Sequence, residues 1–254
     1  MLYKMHCHNI LFTVCLLFHK ICLLYAFESG SFMVSNRFKL STSFAKPSSS
    51  MDSYETSDAS SKGIVSSLTD LVNFVSGNKN DVGSIPEGEY AKSPEALMDF
   101  IEKDYTEKNY LWTGNIHLPA FDPACTFTDP TLSFQGTDTF VSNVKNLVPI
   151  VDFLTKTDDE SRDDNTQSKL LNISINKEEK YVETRWNMIG NLDRIPWKPA
   201  IDVIGRTKFW YREYQEGDET IFRVHFYDEA WEIPAGRALL QLVTPKGTIP
   251  NSAE

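Results

Sequence analysis

The sequence predicts an α+β domain, and three features of its patterning carry that reading. Apolar residues recur at helical spacing in three stretches between residues 64 and 154, the apolar period changes to two beyond residue 170, and turn residues separate the alternating runs. In chain order, Ile64, Leu68, Leu71, Val72 and Val75 mark one face of a first helix, which Gly77 stops. A loop follows through Tyr90. Ser93, Pro94 and Glu95 open a second helix with a capping hydroxyl, a proline at the first position and an acid in the first turn. Its apolar side carries Leu97, Phe100, Ile101 and Tyr105.

Asp122-Pro123 and Asp129-Pro130 bracket a short strand around Cys125 to Thr128, because a residue before proline is pushed toward extended backbone and Asp supplies turn hydrogen bonds. After Gly136 a third helix spans Thr137 to Leu154, with Phe140, Val144, Leu147, Val148 and Val151 on one side and a bend at Pro149. Residues 155–168 are too charged to bury and form a solvated loop. Beyond them Leu171, Ile173 and Ile175 alternate with polar residues. Val182, Thr184, Trp186 and Met188 do the same, as do Ile201, Val203, Thr207 and Phe209, then Phe222, Val224 and Phe226. Turns at residues 176–180 and at Gly217-Asp218 join these runs as antiparallel hairpins with one buried face.

Charge and cysteine usage divide the chain. Residues 1–50 hold Lys4, Lys20, Arg37, Lys39, Lys46 and a single acid, Glu28, leaving 20 of the 25 basic and 34 of the 35 acidic residues beyond, a net charge of −14 there. An acidic body with no basic stripe excludes nucleic acid as its partner and disfavours an anionic membrane surface. Cys7, Cys15 and Cys22 lie in the first fifty residues and Cys125 is alone in the rest, so the body has no internal disulfide. With His117 and His225 the only histidines there, no Cys/His metal site is expected.

The first fifty residues read as an address. Lys4 precedes the apolar run ILFTVCLLF at 10–18, and cleavage after Ala26 fits a signal peptide; the run is too interrupted for a retained membrane anchor. Residues 27–50 are basic, rich in Ser and poor in acids, as transit peptides are. The pair resembles the two-part presequence of algae with complex plastids; a secreted protein with a Ser-rich start is the alternative. The sequon at Asn172 to Ser174 bears only on the secreted reading.

Several separated motifs add a resemblance. FDPACTFTDP at 121–130, Pro196-Trp197, IGRT at 204–207, YDEAWEIP at 227–234 and ALLQL at 238–242 resemble a SnoaL-like family of unknown function found in plants and algae, mostly in plastids. That family lies within the nuclear transport factor 2-like superfamily, and the resemblance runs from Ser93 to Pro245. It implies a cone-shaped α+β fold, with N-terminal helices packed in a strongly curved, largely antiparallel sheet around a pocket. The organisation expected is then a signal peptide over 1–26, a plastid transit segment and disordered lead-in over 27–60, and an N-terminal helix and loop over 61–92. The cone domain follows over 93–245, and a flexible tail over 246–254.

If the apolar strand faces point into the cone, Trp186, Met188, Thr207, Phe209 and Phe226 line the pocket, with Trp112 a further candidate and Asp228 in phase with Phe226. Asp129, at the start of the short strand pair, and Asp228 are the candidate catalytic carboxylates, since burial raises one carboxyl pKa and leaves a partner to ionise. The competing reading makes Asp129 a turn residue and pairs Asp228 with Arg206 or Lys208 after a bulge has reversed the parity. No glycine-rich phosphate loop, GxSxG or HExxH motif is present, and neither cofactor nor metal is expected. The leading expectation is a plastid domain that binds a small apolar molecule or a protein without turnover. The alternatives are a cofactor-free isomerase, cyclase or dehydratase, and a homodimeric scaffold using Arg185, Arg206, Lys208 and Trp210 on the outer sheet face.

Overall fold

The computed structural model of the chain describes residues 52–53, 55–56, 88–155 and 166–248, all within the second of its two units, Met51–Glu254. The presequence expected over 1–50, the helix expected over 64–75 and the charged stretch 156–165 lie outside these residues.

Helix α1, Pro94–Thr106, starts where its cap predicts: Ser93 is extended (φ −149°) and its Oγ accepts the Ala96 N–H at 3.1 Å. Leu97, Ile101 and Tyr105 are its buried face. The chain then turns through Asn109 at positive φ into a single helical turn, α2, Tyr110–Thr113, and leaves it through Gly114, also left-handed. A 3-10 turn at Leu118–Ala120 leads into β2, Phe121–Thr128, and β3, Ser133–Gln135. Helix α3, Thr137–Thr155, runs continuously through Pro149. Four long strands follow, β4 (Thr166–Asn176), β5 (Tyr181–Asn191), β6 (Ala200–Glu216) and β7 (Glu219–Trp231), then α4, Ala235–Val243. The two-residue strand β1, Asp52–Ser53, pairs with Trp231 and Ala230 at the end of β7.

The strands form one sheet in the order β3-β2-β7-β6-β5-β4. All pairs are antiparallel except β2 with β7, which run parallel. Helix α1 lies against β4 and β7, and α3 against β2 and β3. The result is an α+β domain whose core lies between α1 and the inner sheet face. There Leu97, Ile101 and Tyr105 meet Val182, Trp186 and Phe209, and the Phe127 and Tyr227 rings meet at a tilt, 5.6 Å between centroids. Burial of this aromatic and aliphatic surface is the main stabilising term.

Several expectations are corrected. Strand β2 begins at Phe121 rather than near Cys125; Asp122 and Pro123 fall where its register against β7 shifts, between Phe121 and Thr126, so Pro123 breaks no ladder bond there. Strand β4 starts at Thr166, inside the stretch expected to be loop. Helices α2 and α4 are additions: α2 is a single turn, too short for a periodic signal, while α4 buries Ala235, Ala238 and Gln241 on one side. Two bulges reverse side-chain parity. In β4, Leu170 opposes Trp186 and Asn172 opposes Arg185, so Leu171 is the extra residue and turns outward, 39% exposed. In β7, Val224 opposes Tyr211 and Phe226 opposes Trp210, which leaves His225 unpaired.

Candidate functional site

The bulge at His225 decides which residues of β7 face the core. Beyond it Tyr227 opposes Phe209, Glu229 opposes Thr207 and Trp231 opposes Gly205, all on the inner face. Phe226 and Asp228, expected inside, are instead on the outer face opposite Trp210 and Lys208, and both are half-buried. Asp228 is raised by burial and held back by the Lys208 charge, the pairing that the parity-reversed reading describes. The candidate catalytic pair Asp129 and Asp228 is therefore not brought together on one face.

A connected set of polar side chains does meet inside. Glu229 is buried, its Oε2 is hydrogen-bonded to Tyr227 Oη, and its Oε1 accepts from Trp231 Nε1 at 2.7 Å. Tyr227 Oη lies 3.2 Å from Tyr110 Oη on α2, which donates to Tyr105 Oη on α1 at 3.0 Å. Tyr105 Oη is 2.8 Å from Thr184 Oγ1 on β5, and Thr184 reaches the Thr207 carbonyl of β6 at 3.5 Å. Trp186 Nε1 donates to Thr207 Oγ1 at 2.9 Å. The set is graded in depth: Thr184 and Thr207 are 0% exposed, while Glu229 (7%) and Tyr227 (9%) retain some surface. The deepest groups are thus Thr184 and Thr207 at the centre of the sheet, and the Glu229 end lies nearest the surface.

Burial, with the Asp129 carboxylate adding to it, pushes Glu229 up to about 7, against the pull of its two donors. Among the described residues no Lys, Arg or His forms an ion pair with it. Tyr110 and Tyr227 are driven well above their ordinary range by burial, and Tyr105 is raised for the same reason, so the phenols stay protonated. Asp129 is raised by burial and opposed by bonds from Thr131 and Leu132. Its Oδ1 accepts the Thr131 N–H (2.6 Å), the Thr131 hydroxyl (2.5 Å) and the Leu132 N–H (2.9 Å), closing the β2–β3 turn.

The other expected pocket residues have these places. Trp186, Thr207 and Phe209 are buried on the inner face beside the network, and Met188 packs half-buried against the core. Trp112 donates from Nε1 to the Gln167 carbonyl at 3.2 Å, and its ring occupies the space that a side chain at Gly190 would need. Cys125 is buried, its thiol pushed up to about 12 by burial, which leaves it inert at neutral pH. On the outer face Arg185 grips Glu232 through Nε (2.7 Å) and Nη2 (2.8 Å), with Arg206 Nε at 3.5 Å from the same carboxylate. Lys208 lies over the Tyr181 ring at 4.6 Å. An open groove of about 300 Å³ between β5, β6 and α4 has its polar groups already engaged: Gln241 bonds both the N–H and the carbonyl of Asp202, and Lys246 bonds Asn191.

Sequence reasoning missed Tyr105, Tyr110, Tyr227, Glu229 and Trp231 as one group. The alternation of Tyr227, Glu229 and Trp231 is present in YDEAWEIP, but only the unseen bulge puts that phase inside.

These features define an α+β domain with a phenol and carboxyl network buried against the inner face of a mixed sheet. A family model described as an uncharacterized conserved protein, DUF2358, matches residues 95–215, from the first turn of α1 nearly to the end of β6. The match takes in Tyr105, Tyr110, Thr184, Trp186 and Thr207 and ends before Tyr227, Glu229 and Trp231. No curated protein and no solved structure matches the chain.

Proposed function

We propose that this domain binds a small, mainly apolar molecule carrying one hydrogen-bonding group, at the Glu229 end of the inner sheet face, without turnover. The observation that carries this reading is Glu229 itself: a carboxyl group lodged among aromatic side chains, away from any ion-pair partner among the described residues, with residual surface. A buried carboxyl costs stability unless its environment compensates it, and one raised by burial among apolar groups is a candidate site. The cone architecture of the nuclear transport factor 2-like superfamily fits the reading. Its support is the strand order with β2 parallel to β7, the helices ahead of β2, and the long antiparallel run from β4 to β7.

A second reading, a cofactor-free enzyme moving a proton, is favoured by one observation: Glu229 is brought close to neutrality, where a carboxyl both gives and takes a proton. In that reading Glu229 replaces Asp129 and Asp228 as the working carboxyl.

Native mass spectrometry of the full chain exposed to a lipid-soluble plastid extract tests both. The extract follows from the presequence reading. Binding predicts a discrete added mass of roughly a few hundred daltons, the size such pockets hold, released unchanged; the enzyme reading predicts release of an altered molecule. A spectrum without any adduct contradicts both.

A further inference from the structure

The hydrogen bonds of the network can be counted proton by proton. Each phenol and each threonine hydroxyl brings one proton and can accept as well. Tyr110 donates to Tyr105, which spends its only proton. The 3.2 Å contact between Tyr110 and Tyr227 then needs the proton of Tyr227. Tyr227 cannot use that proton for Glu229 as well, yet its Oη is in hydrogen-bond contact with Glu229 Oε2. With Glu229 ionised and the Tyr110 proton directed to Tyr105, one of the two contacts joins oxygen to oxygen with nothing between them, out of water, where an unmade bond is costly.

A proton on Oε2 removes the conflict. Glu229 then donates to Tyr227, Tyr227 to Tyr110, Tyr110 to Tyr105 and Tyr105 to Thr184, whose own proton turns to the Thr207 carbonyl at 3.5 Å. Oε1 stays an acceptor for Trp231 Nε1 at 2.7 Å, which settles which oxygen carries the hydrogen. We propose that the network is a binding site for one exchangeable proton, held on Glu229 Oε2 and fixing a single direction of donation from Glu229 to Thr184. The proton enters and leaves at the Glu229 end, to and from water.

The groups facing Glu229 support this. Tyr227 and Asp228 come from its own strand β7, Tyr110 from α2, Tyr105 from α1 and Asp129 from the turn after β2. The carboxylates among them oppose a further negative charge, and the phenols are neutral. With the proton lost and Tyr227 donating to Glu229, the Tyr110–Tyr227 contact between α2 and the sheet is left without a hydrogen. The inference does not rest on the binding reading, since it concerns the chain without any ligand.

The test is a carbon-13 carboxyl titration of the full chain labelled at Glu, with the Glu229 resonance assigned by its absence in Glu229→Gln. The expected result is a midpoint above about pH 6, against an ordinary value of about 4.3. A midpoint at or below about pH 6 overturns the proposal. The titration is read on the unaltered chain; if Glu229→Gln fails to fold, the carboxyl resonance that shifts in Trp231→Phe, which removes the indole donor to Oε1, supplies the assignment. An adduct in the mass spectrum with a low Glu229 midpoint would sink the proton site and leave the binding reading standing. A high midpoint without an adduct does the reverse.

Discussion

A side chain at position 205 would place its Cβ 2.5 Å from Trp186 Cζ2 and 2.9 Å from the Ala230 carbonyl. Gly205 is therefore the floor on which the Trp186 indole lies, and the indole in turn reaches Thr207. Gly205→Ala is expected to cost about 1–3 kcal/mol through overpacking, measured as a fall in unfolding free energy in urea; an unchanged value would mean that the indole is not packed there. At this scale IGRT was legible as a motif, whereas the reason for its glycine was not. Glu229 was not legible at all, because one residue's shift along β7 decides between it and Asp228, and both are acidic.

At the scale of elements, the cap of α1 and the turns at 176–180 and 217–218 were readable because each depends on local chemistry. The two bulges were not, because a bulge is settled by the partner strand and leaves the strand's own composition unchanged. Leu171 and the β7 phase went wrong for that one reason. The β2–β3 turn ties an element to the site: Asp129 holds the turn through Oδ1 and raises Glu229 through its charge. Asp129→Asn keeps the acceptor and removes the charge. It is expected to lower the Glu229 midpoint while leaving the turn in place; an unmoved midpoint in the carbon-13 titration would separate the two carboxyls electrostatically.

At the scale of the described domain, the two sheet faces divide the work. The outer face carries half-exposed ion pairs such as Arg185 with Glu232, worth at most about 1 kcal/mol. The inner face holds the aromatic core and Glu229, which is linked through hydroxyls to Tyr110 on α2 and Tyr105 on α1. Folding raises Glu229 from 4.5 to about 7. A raised carboxyl favours the folded state fully below its unfolded value and loses that contribution as pH rises through the folded value. The loss therefore falls between pH 4.5 and about 7 and is constant above it.

Glu229→Gln places an amide N–H toward Tyr227 and its carbonyl toward Trp231, as the neutral acid does, and has nothing to titrate. The most direct measurement is the unfolding free energy of the full chain in urea from pH 5 to 8, wild type against Glu229→Gln. The account predicts that wild type loses about 2–3 kcal/mol relative to the glutamine variant between pH 5 and pH 8. Parallel pH curves would show Glu229 to be ionised in the folded chain and would contradict the central claim.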